Sequence, residues 1–498
     1  MQKRVEPVRL AWKPDKKLNM PVYEQIVRFI CQKVRSGEWP AGTRLPSQRD
    51  MAVCFGVNRS TVSAAIDKLV SYGVVEGRRS AGTQIAGHTW PLRLPPQPNW
   101  GSYVASGYFQ ANRTMVQHIN RLEFDPQVVR LGTGELDPRL FPAEKMRRVL
   151  ENVGRHMTSL SYPEPLGLPA LRQAVSAHMA SQGITAPPSS IVITSGTLQA
   201  LQLISASLLD GGSVVYTEET TYLQSLQVFQ SAALRLCGVP MDDDGLQVQQ
   251  LAAMLPSGAH RVHSALYTIP TNHNPTGCTM PLARRQELLR LCSSAGLPVI
   301  EDGAYSDLTF EGTAPPALKA LDTGGTVLYL GSASKALAPG LRIGWLIGPE
   351  PIVQRLGDVK MQVDYGASAL SQMVMAEFLT SGIYGEYVRH LRQELRRRRD
   401  CALSVLDRHF RHLASWHVPT GGFYIWLTLQ VPVDMKRLFD RAAAAGILIN
   451  PGDIYGYRPT HSLRLSYAYT TPEEFKTAAV KLAAVVEKEV CYCQKKSR

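Results

Sequence analysis

Four short stretches of this sequence carry side chains that could act together on one small molecule. In GSASKALAPGLRIGW, residues 331–345, Lys335 sits among small residues, with Ser332 and Ser334 before it and Arg342 after it. A lysine there is either a reactive amine held under a cofactor or an ordinary solvated lysine in a loop. In VIEDGAYSD, Asp302 ends an apolar run and Tyr305 follows three positions later. That carboxylate could pair with a protonated ring nitrogen, or cap a helix. In TNHNPTG, Asn274 precedes a proline and holds an amide in a rigid turn, or the stretch is a plain turn. In ITSGTLQA, Ser195, Gly196 and Thr197 lie between an apolar run and a helical pattern. Small residues there let backbone amides at a helix N-terminus approach an anion, although most such turns simply connect. An amine, a carboxylate, neutral donors and an anion cradle together suit pyridoxal phosphate. A lysine forms its Schiff base, and an acidic partner keeps its ring protonated as an electron sink.

The elements needed to converge these groups are legible around them. The runs SIVIT, SVVYTEE, HSALYTIP, LPVIED, TVLYL and RIGWLIG alternate with helical patterns such as LARRQELLRLCSSAG. This alternation predicts an α/β domain with a mainly parallel sheet, whose ligands sit at the carboxyl ends of the strands.

The first part of the chain reads differently. Val22, Ile26, Ile30 and Val34 have helical spacing, and Ser47 can cap a second helix carrying Met51, Ala52 and Phe55. Gly56 makes a turn, and Asn58 can cap a third helix with Val62, Ile66, Leu69 and Val70 on its apolar side. Two short helices around a glycine turn form a helix-turn-helix, and VVEGRRSAGTQIAG reads as a wing. Arg59, Ser60, Thr61 and Ser63 open the helix that would enter a major groove, while Arg49, Arg78 and Arg79 suit phosphate or groove contacts. A small helical packing domain with surface arginines is the alternative. The proline-containing stretch 88–126 reads as a linker, part of which could instead pack as an arm on the body.

Bulk properties fit two or three domains in 498 residues. The net charge of +13 is concentrated: residues 1–88 hold 15 Lys and Arg against 7 Asp and Glu, the rest 39 against 34. A basic domain on a nearly balanced body suggests a polyanionic partner. The eight scattered cysteines read as reduced thiols rather than a zinc site. No apolar run is long enough to span a bilayer and no secretory signal opens the chain, so the expected compartment is the cytoplasm.

Residues 21–85 closely resemble the GntR-type winged helix, with its Leu-Pro-Ser-x-Arg motif at 45–49 and its Gly-Val-x-Arg-x-Thr-Val motif at 56–62. The resemblance implies DNA contact by Arg49, Arg59 and Thr61. From about residue 131 to 482 the chain resembles fold type I pyridoxal-phosphate enzymes of the aspartate aminotransferase kind. SYPEPLGLPALRQA, ITSGTLQA, EETTY, NHNPTG, EDGAYSD, SASKALAPGLRIGW, PTGGFYIWL and LRLSYA carry that resemblance. It implies that Lys335 forms the internal aldimine, Asp302 binds the pyridine nitrogen, and Asn274 and Tyr305 hold the phenolic oxygen. Tyr222 would stack on the ring. Ser195, Gly196, Thr197, Leu198 (through its amide), Ser332 and Arg342 would hold the phosphate, and Tyr162 would reach the phosphate of a second subunit. Arg464 would grip a substrate α-carboxylate. Two departures appear: Thr220-Thr221 replaces the usual Asp-Pro before the stacking tyrosine, and Leu136 replaces a proline. The run 396–399 reads as a solvated helix face rather than a second DNA site.

The two halves joined by a linker resemble MocR-type transcriptional regulators. The expected protein is then a homodimeric DNA-binding regulator, with a winged helix over 1–87, a linker over 88–126 and an aminotransferase-like domain over 127–498. It would bind pyridoxal phosphate and sense an amino compound or the cofactor. An active aminotransferase converting an amino acid to a 2-oxo acid, with an accessory DNA-binding domain, is the alternative.

Overall fold

The N-terminal periodicity folds into three helices, Val22–Arg35, Gln48–Phe55 and Arg59–Ser71, and an antiparallel strand pair, Val75–Arg78 and Gly82–Ile85. Ser47 caps the second helix by accepting from the Asp50 amide. Gly56 ends it in the left-handed conformation, at φ +65°, where a side chain would be strained. Ile26, Ile30, Met51, Phe55, Val62, Ile66 and Leu69 are buried together. Val70, expected on the apolar side, is 49% exposed, and Val22 and Val34 are only half-buried. Aromatic rings take their place: Trp12 stacks on Phe29 at 4.6 Å, and Trp39 meets Phe29 edge-on.

This computed structural model describes residues 7–8, 10–15, 17–78, 82–86, 114–222, 228–230, 232–256 and 264–496. The chain divides into two compact units, Met1–Ser106 and Gly107–Arg498. Within the stretch 88–126, the helix Thr114–Leu122 buries Val116 and Ile119 in the core of the second unit.

The second unit is built on a seven-stranded sheet. In spatial order its strands are Ile191–Thr194, Gly344–Ile347, Val327–Ser332, Val299–Asp302, Ser264–Thr268, Val214–Glu218 and Arg235–Val239. All pairings are parallel except those of Gly344–Ile347, which runs against both neighbours. Burial of both faces explains the continuous apolar runs in these strands. A second, antiparallel sheet orders Ala414–Trp416, Tyr424–Leu429, Ser462–Ser466 and Asn450–Pro451. The helix Ile383–Phe410 precedes that sheet in the chain, and Pro472–Lys496 packs against this helix.

The expectation of a solvated face at 396–399 holds for Arg396 and Arg397 only. Arg398 is buried against Asp137 at 2.9 Å and Glu394 at 2.7 Å. Arg399 is buried too, pairing with Glu311 and donating to the Pro419 carbonyl. Unpaired burial of these charges would be costly, so each comes with its carboxylate. No described helix is long and apolar enough to cross a membrane.

Candidate functional site

Asp302 is the last residue of a central strand, and Ser332 ends the strand beside it. Lys335 follows in the tight turn after Ser332. Small residues are required here because the backbones pack closely. A Cβ on Gly331 would collide with the Trp345 indole, and one on Gly344 would lie 3.0 Å from the Thr197 amide nitrogen. The strand ends carrying Ser195, Ser332 and Arg342 are thereby drawn together.

Asp302 is buried. Its Oδ2 accepts from the Tyr267 hydroxyl at 2.8 Å, and Oδ1 accepts from the Ala304 amide at 3.0 Å. Burial raises its carboxyl above the usual range, while those two bonds and the charge of Lys335 oppose the rise. The Lys335 ammonium donates to the Gly134 carbonyl at 2.7 Å and lies 5.8 Å from the centre of the Tyr305 ring. The Tyr305 hydroxyl bonds that of Tyr424 at 2.8 Å and accepts from Asn274 Nδ2 at 3.4 Å. Burial, then the Tyr424 phenol, holds the Tyr305 phenol well above its ordinary value. It is therefore a neutral donor throughout the physiological range.

Arg464 closes the other end of this group. It is buried in the second sheet, with Nη1 donating to Asn274 Oδ1 at 2.9 Å and Nη2 to the Gly132 carbonyl at 2.7 Å. Its guanidinium lies between the rings of Tyr424 and Tyr455, 4.3 and 4.8 Å from their centres. Its Nε is buried with no hydrogen-bond partner. Leaving a buried guanidinium donor unmet is unfavourable.

At the third corner, Gly196 precedes the helix Thr197–Ser207 with φ +99°. A Cβ there would lie 2.6 Å from Arg342 Nη2, so only glycine allows the guanidinium to lie against the helix N-terminus. Arg342 itself adopts a left-handed φ of +53° and donates to the Ser195 carbonyl at 2.8 Å. First-turn amides, this guanidinium and the Ser332 hydroxyl, which accepts from the Ser334 amide at 3.1 Å, are the groups that would face an anion here. The donor set thus fits pyridoxal phosphate: an amine, a buried carboxylate, a neutral phenol and amide, and a cradle that a side chain would fill.

Tyr222 is half-buried and close enough to Tyr267 and Tyr305 to affect the titration of both. The Thr220-Thr221 departure has a structural use. The Thr221 amide donates to the Tyr455 carbonyl at 2.8 Å, a bond that proline could not make. Tyr162 does not join this site: it is 79% exposed and its ring lies 5.4 Å from that of Tyr365.

Sequence reading assigned no role to Tyr267, Tyr424 or Tyr455. Each occupies an apolar run or loop, and only the tertiary contacts separate it from an ordinary core tyrosine. It also missed Glu218 and His273, which lie buried with Oε2 and Nε2 facing one another at 3.9 Å. Neither atom has a hydrogen-bond partner. Burial raises the Glu218 carboxyl to about 7, with the nearby Asp302 charge adding to the rise, and lowers His273 to about 3.

In the first unit, Arg49, Arg59 and Ser60 are exposed and Thr61 is half-buried at the start of the third helix. Arg49, Arg59 and Thr61 line a groove of about 540 Å³ together with Gly56 and Asn58. The Arg78 backbone ends the first wing strand; its side chain, and Arg79, lie outside the described residues.

The aminotransferase class I and II family matches residues 126–482, and the bacterial regulatory proteins of the gntR family match residues 22–85. The uncharacterized HTH-type transcriptional regulator YisV of Bacillus subtilis (strain 168) is 46% identical over 475 residues, covering 95% of this chain and 97% of that protein. The HTH-type transcriptional regulator NorG of Staphylococcus aureus (strain bovine RF122 / ET3-1) is 32% identical over 89% of this chain and 100% of its own. Among solved structures, the Pyrococcus horikoshii kynurenine aminotransferase is 30% identical with a TM-score of 0.74. The match covers 79% of this chain and 99% of that one.

Proposed function

We propose a division of labour from the premise that this chain belongs to the aminotransferase class I and II family, with a gntR-family domain before it in the MocR-type arrangement. The protein is a transcription regulator, and pyridoxal phosphate is its cofactor. In our reading the winged helix contacts promoter DNA through Arg49, Arg59, Ser60, Thr61 and Arg78, and the second unit senses an amino compound. The cofactor supplies an aldehyde that condenses with amines and a ring that accepts electrons.

Lys335 supplies the resident amine. Asp302 holds the ring nitrogen, Asn274 and Tyr305 the phenolic oxygen, and Tyr222 covers the ring. Ser195, Gly196, Thr197, Leu198, Ser332 and Arg342 hold the phosphate, joined by Tyr162 from a second copy in a homodimer. Arg464 takes the effector's carboxylate. An incoming amine that took the place of Lys335 on the cofactor would free this lysine to change its bonds, and that change would bias the DNA-binding geometry. The protein works in the cytoplasm, where promoter DNA is accessible.

The observation that carries this reading is the convergence of Lys335, Asp302, Asn274, Tyr305 and Arg464 in one site, with an unmet donor on Arg464. Footprinting on upstream DNA, with and without pyridoxal phosphate and a panel of amino acids, tests it. The expected result is a sequence-specific footprint that changes with cofactor or amino acid; no footprint in any state would sink the reading.

The same convergence favours a second activity, transamination, because the Lys335 amine lies near enough to Asp302 to affect its titration and could shuttle a proton. Amino-acid-dependent conversion of bound cofactor to its pyridoxamine form would support it. Spectra unchanged by every amino acid would count against it.

A further inference from the structure

Beside the phosphate cradle stands a carboxylate with no part in the scheme above. Asp364 ends the helix Glu350–Val363. The next residue, Tyr365, has a left-handed φ of +56°, and Gly366 follows at +122°. A non-glycine residue in that region persists only where its surroundings hold it. Asp364 provides such a hold. Its Oδ1 accepts from Lys360 Nζ at 2.6 Å and from the Gly366 amide at 2.9 Å. Its Oδ2 accepts from Gln199 Nε2 at 2.6 Å and from the Ser195 hydroxyl at 3.5 Å. Burial opposes ionisation of Asp364, but the bonds from Lys360, Gln199 and Gly366 outweigh it and hold the carboxyl below its usual range.

A lone carboxylate at the edge of an anion cradle would repel the anion. Lys360, with a side chain only 1% exposed, cancels that charge from behind. What remains is direction. An ionised carboxylate only accepts, so it turns the NH2 of Gln199 toward itself and the oxygen of Gln199 away. That oxygen, Oε1, accepts from the Ser195 amide at 2.8 Å. The Ser195 carbonyl in turn accepts from Arg342 Nη2 at 2.8 Å. A flipped Gln199 would set donor against donor at Ser195.

We propose that Asp364 is a positioning residue of the cradle, fixing Gln199, through it Ser195, and through Ser195 the guanidinium of Arg342. This rests on the reading of Ser195 to Leu198, Ser332 and Arg342 as the phosphate holders. Its mark is selectivity: it matters for ligands that carry the phosphate and not for those that lack it.

The test uses the full-length, cofactor-free chain and compares Kd for pyridoxal phosphate with Kd for pyridoxal, alongside the melting shift produced by inorganic phosphate. Asp364→Asn both donates and accepts, so Gln199 is free to turn. The expected result is a rise of about tenfold in the Kd for pyridoxal phosphate, equivalent to about 1.4 kcal/mol. Pyridoxal affinity is unchanged, and the melting shift with phosphate is lost. If Asp364→Asn leaves Lys360 unpaired and the chain fails to fold, Gln199→Met breaks the same chain with the ion pair intact and is expected to show the same selective loss. Equal weakening toward pyridoxal phosphate and pyridoxal, or unchanged pyridoxal phosphate affinity in a folded variant, would overturn the proposal. Wild-type protein that binds pyridoxal as tightly as pyridoxal phosphate would instead overturn the cradle itself.

Discussion

The two units place their functional side chains in opposite physical settings. In the winged helix, Arg49, Arg59 and Ser60 stand exposed on short helices, over a core that is mainly hydrophobic. In the second unit, Asp302, Asn274 and Arg464 are buried, and each is tied by hydrogen bonds to another element. A surface reader works by charge that water and salt already screen, so its contacts are graded and separable. A buried site works at low dielectric, where each unmet group is costly and residues act as a set. Losses in the second unit should therefore be large and mutually dependent. Losses in the first should be modest and salt-sensitive.

The largest expected effect comes from Lys335→Ala. Bound-cofactor absorbance and the response of DNA binding to amino compounds should both disappear, while DNA affinity without effector is partly kept. An intact cofactor spectrum in this variant would refute the role of Lys335. Next, Arg464→Met should weaken the response to amino acids by about 100-fold, as expected for a buried charge-assisted pair. Amines without a carboxylate should respond as before, and equal loss for both classes would break the assignment.

Glu218→Gln sharpens the contrast through pH. The folded carboxyl of Glu218 titrates near 7 against an ordinary value of 4.5. The stability it contributes is full below about 4.5 and is lost as pH rises through 7. His273 runs the other way: lowered from 6.5 to about 3, it contributes above 6.5 and loses that contribution as pH falls toward 3. Removing the Glu218 titration should change the wild-type-minus-variant stability by up to about 3 kcal/mol between pH 5 and 8. Denaturant melts of the cofactor-free protein at those pH values measure it; parallel curves would contradict the buried proton.

The surface side of the comparison should give smaller numbers. Arg59→Ala should cost about 1–3 kcal/mol of specific DNA affinity, with cofactor binding untouched. A melting change in the second unit would show that the units are not separable in this way. Smallest, Ser47→Ala removes a helix cap and should lower the stability of the winged helix by about 1 kcal/mol, read by its own unfolding transition.

Much of this is legible in the sequence. Ser47 and Gly56 announce a helix boundary because caps and left-handed turns restrict which residues serve, and both act there. Asp302 and Ser332 stand where apolar runs stop, which is where strand ends expose side chains to a ligand. Val70 was misplaced because an apolar residue at helical spacing is equally compatible with the edge of a core face. Arg398 and Arg399 were misplaced because sequence spacing cannot say which carboxylates lie opposite a helix. Asp137 and Glu311 are far from them in the chain.

Local chemistry was therefore readable wherever it depends on neighbours in sequence: glycine at a left-handed turn, a lysine among small residues, alternation that builds a parallel sheet. Long-range pairing was not. The Asn274 contact with Arg464 spans 190 residues, and the bond from Gln199 to Asp364 spans 165. Such contacts exist only after the sheet has brought distant strand ends together. The sequence alone offers a candidate amine and carboxylate, and by resemblance a candidate arginine; folding gives each its partners, because hydrogen bonding depends on separation in space and not along the chain.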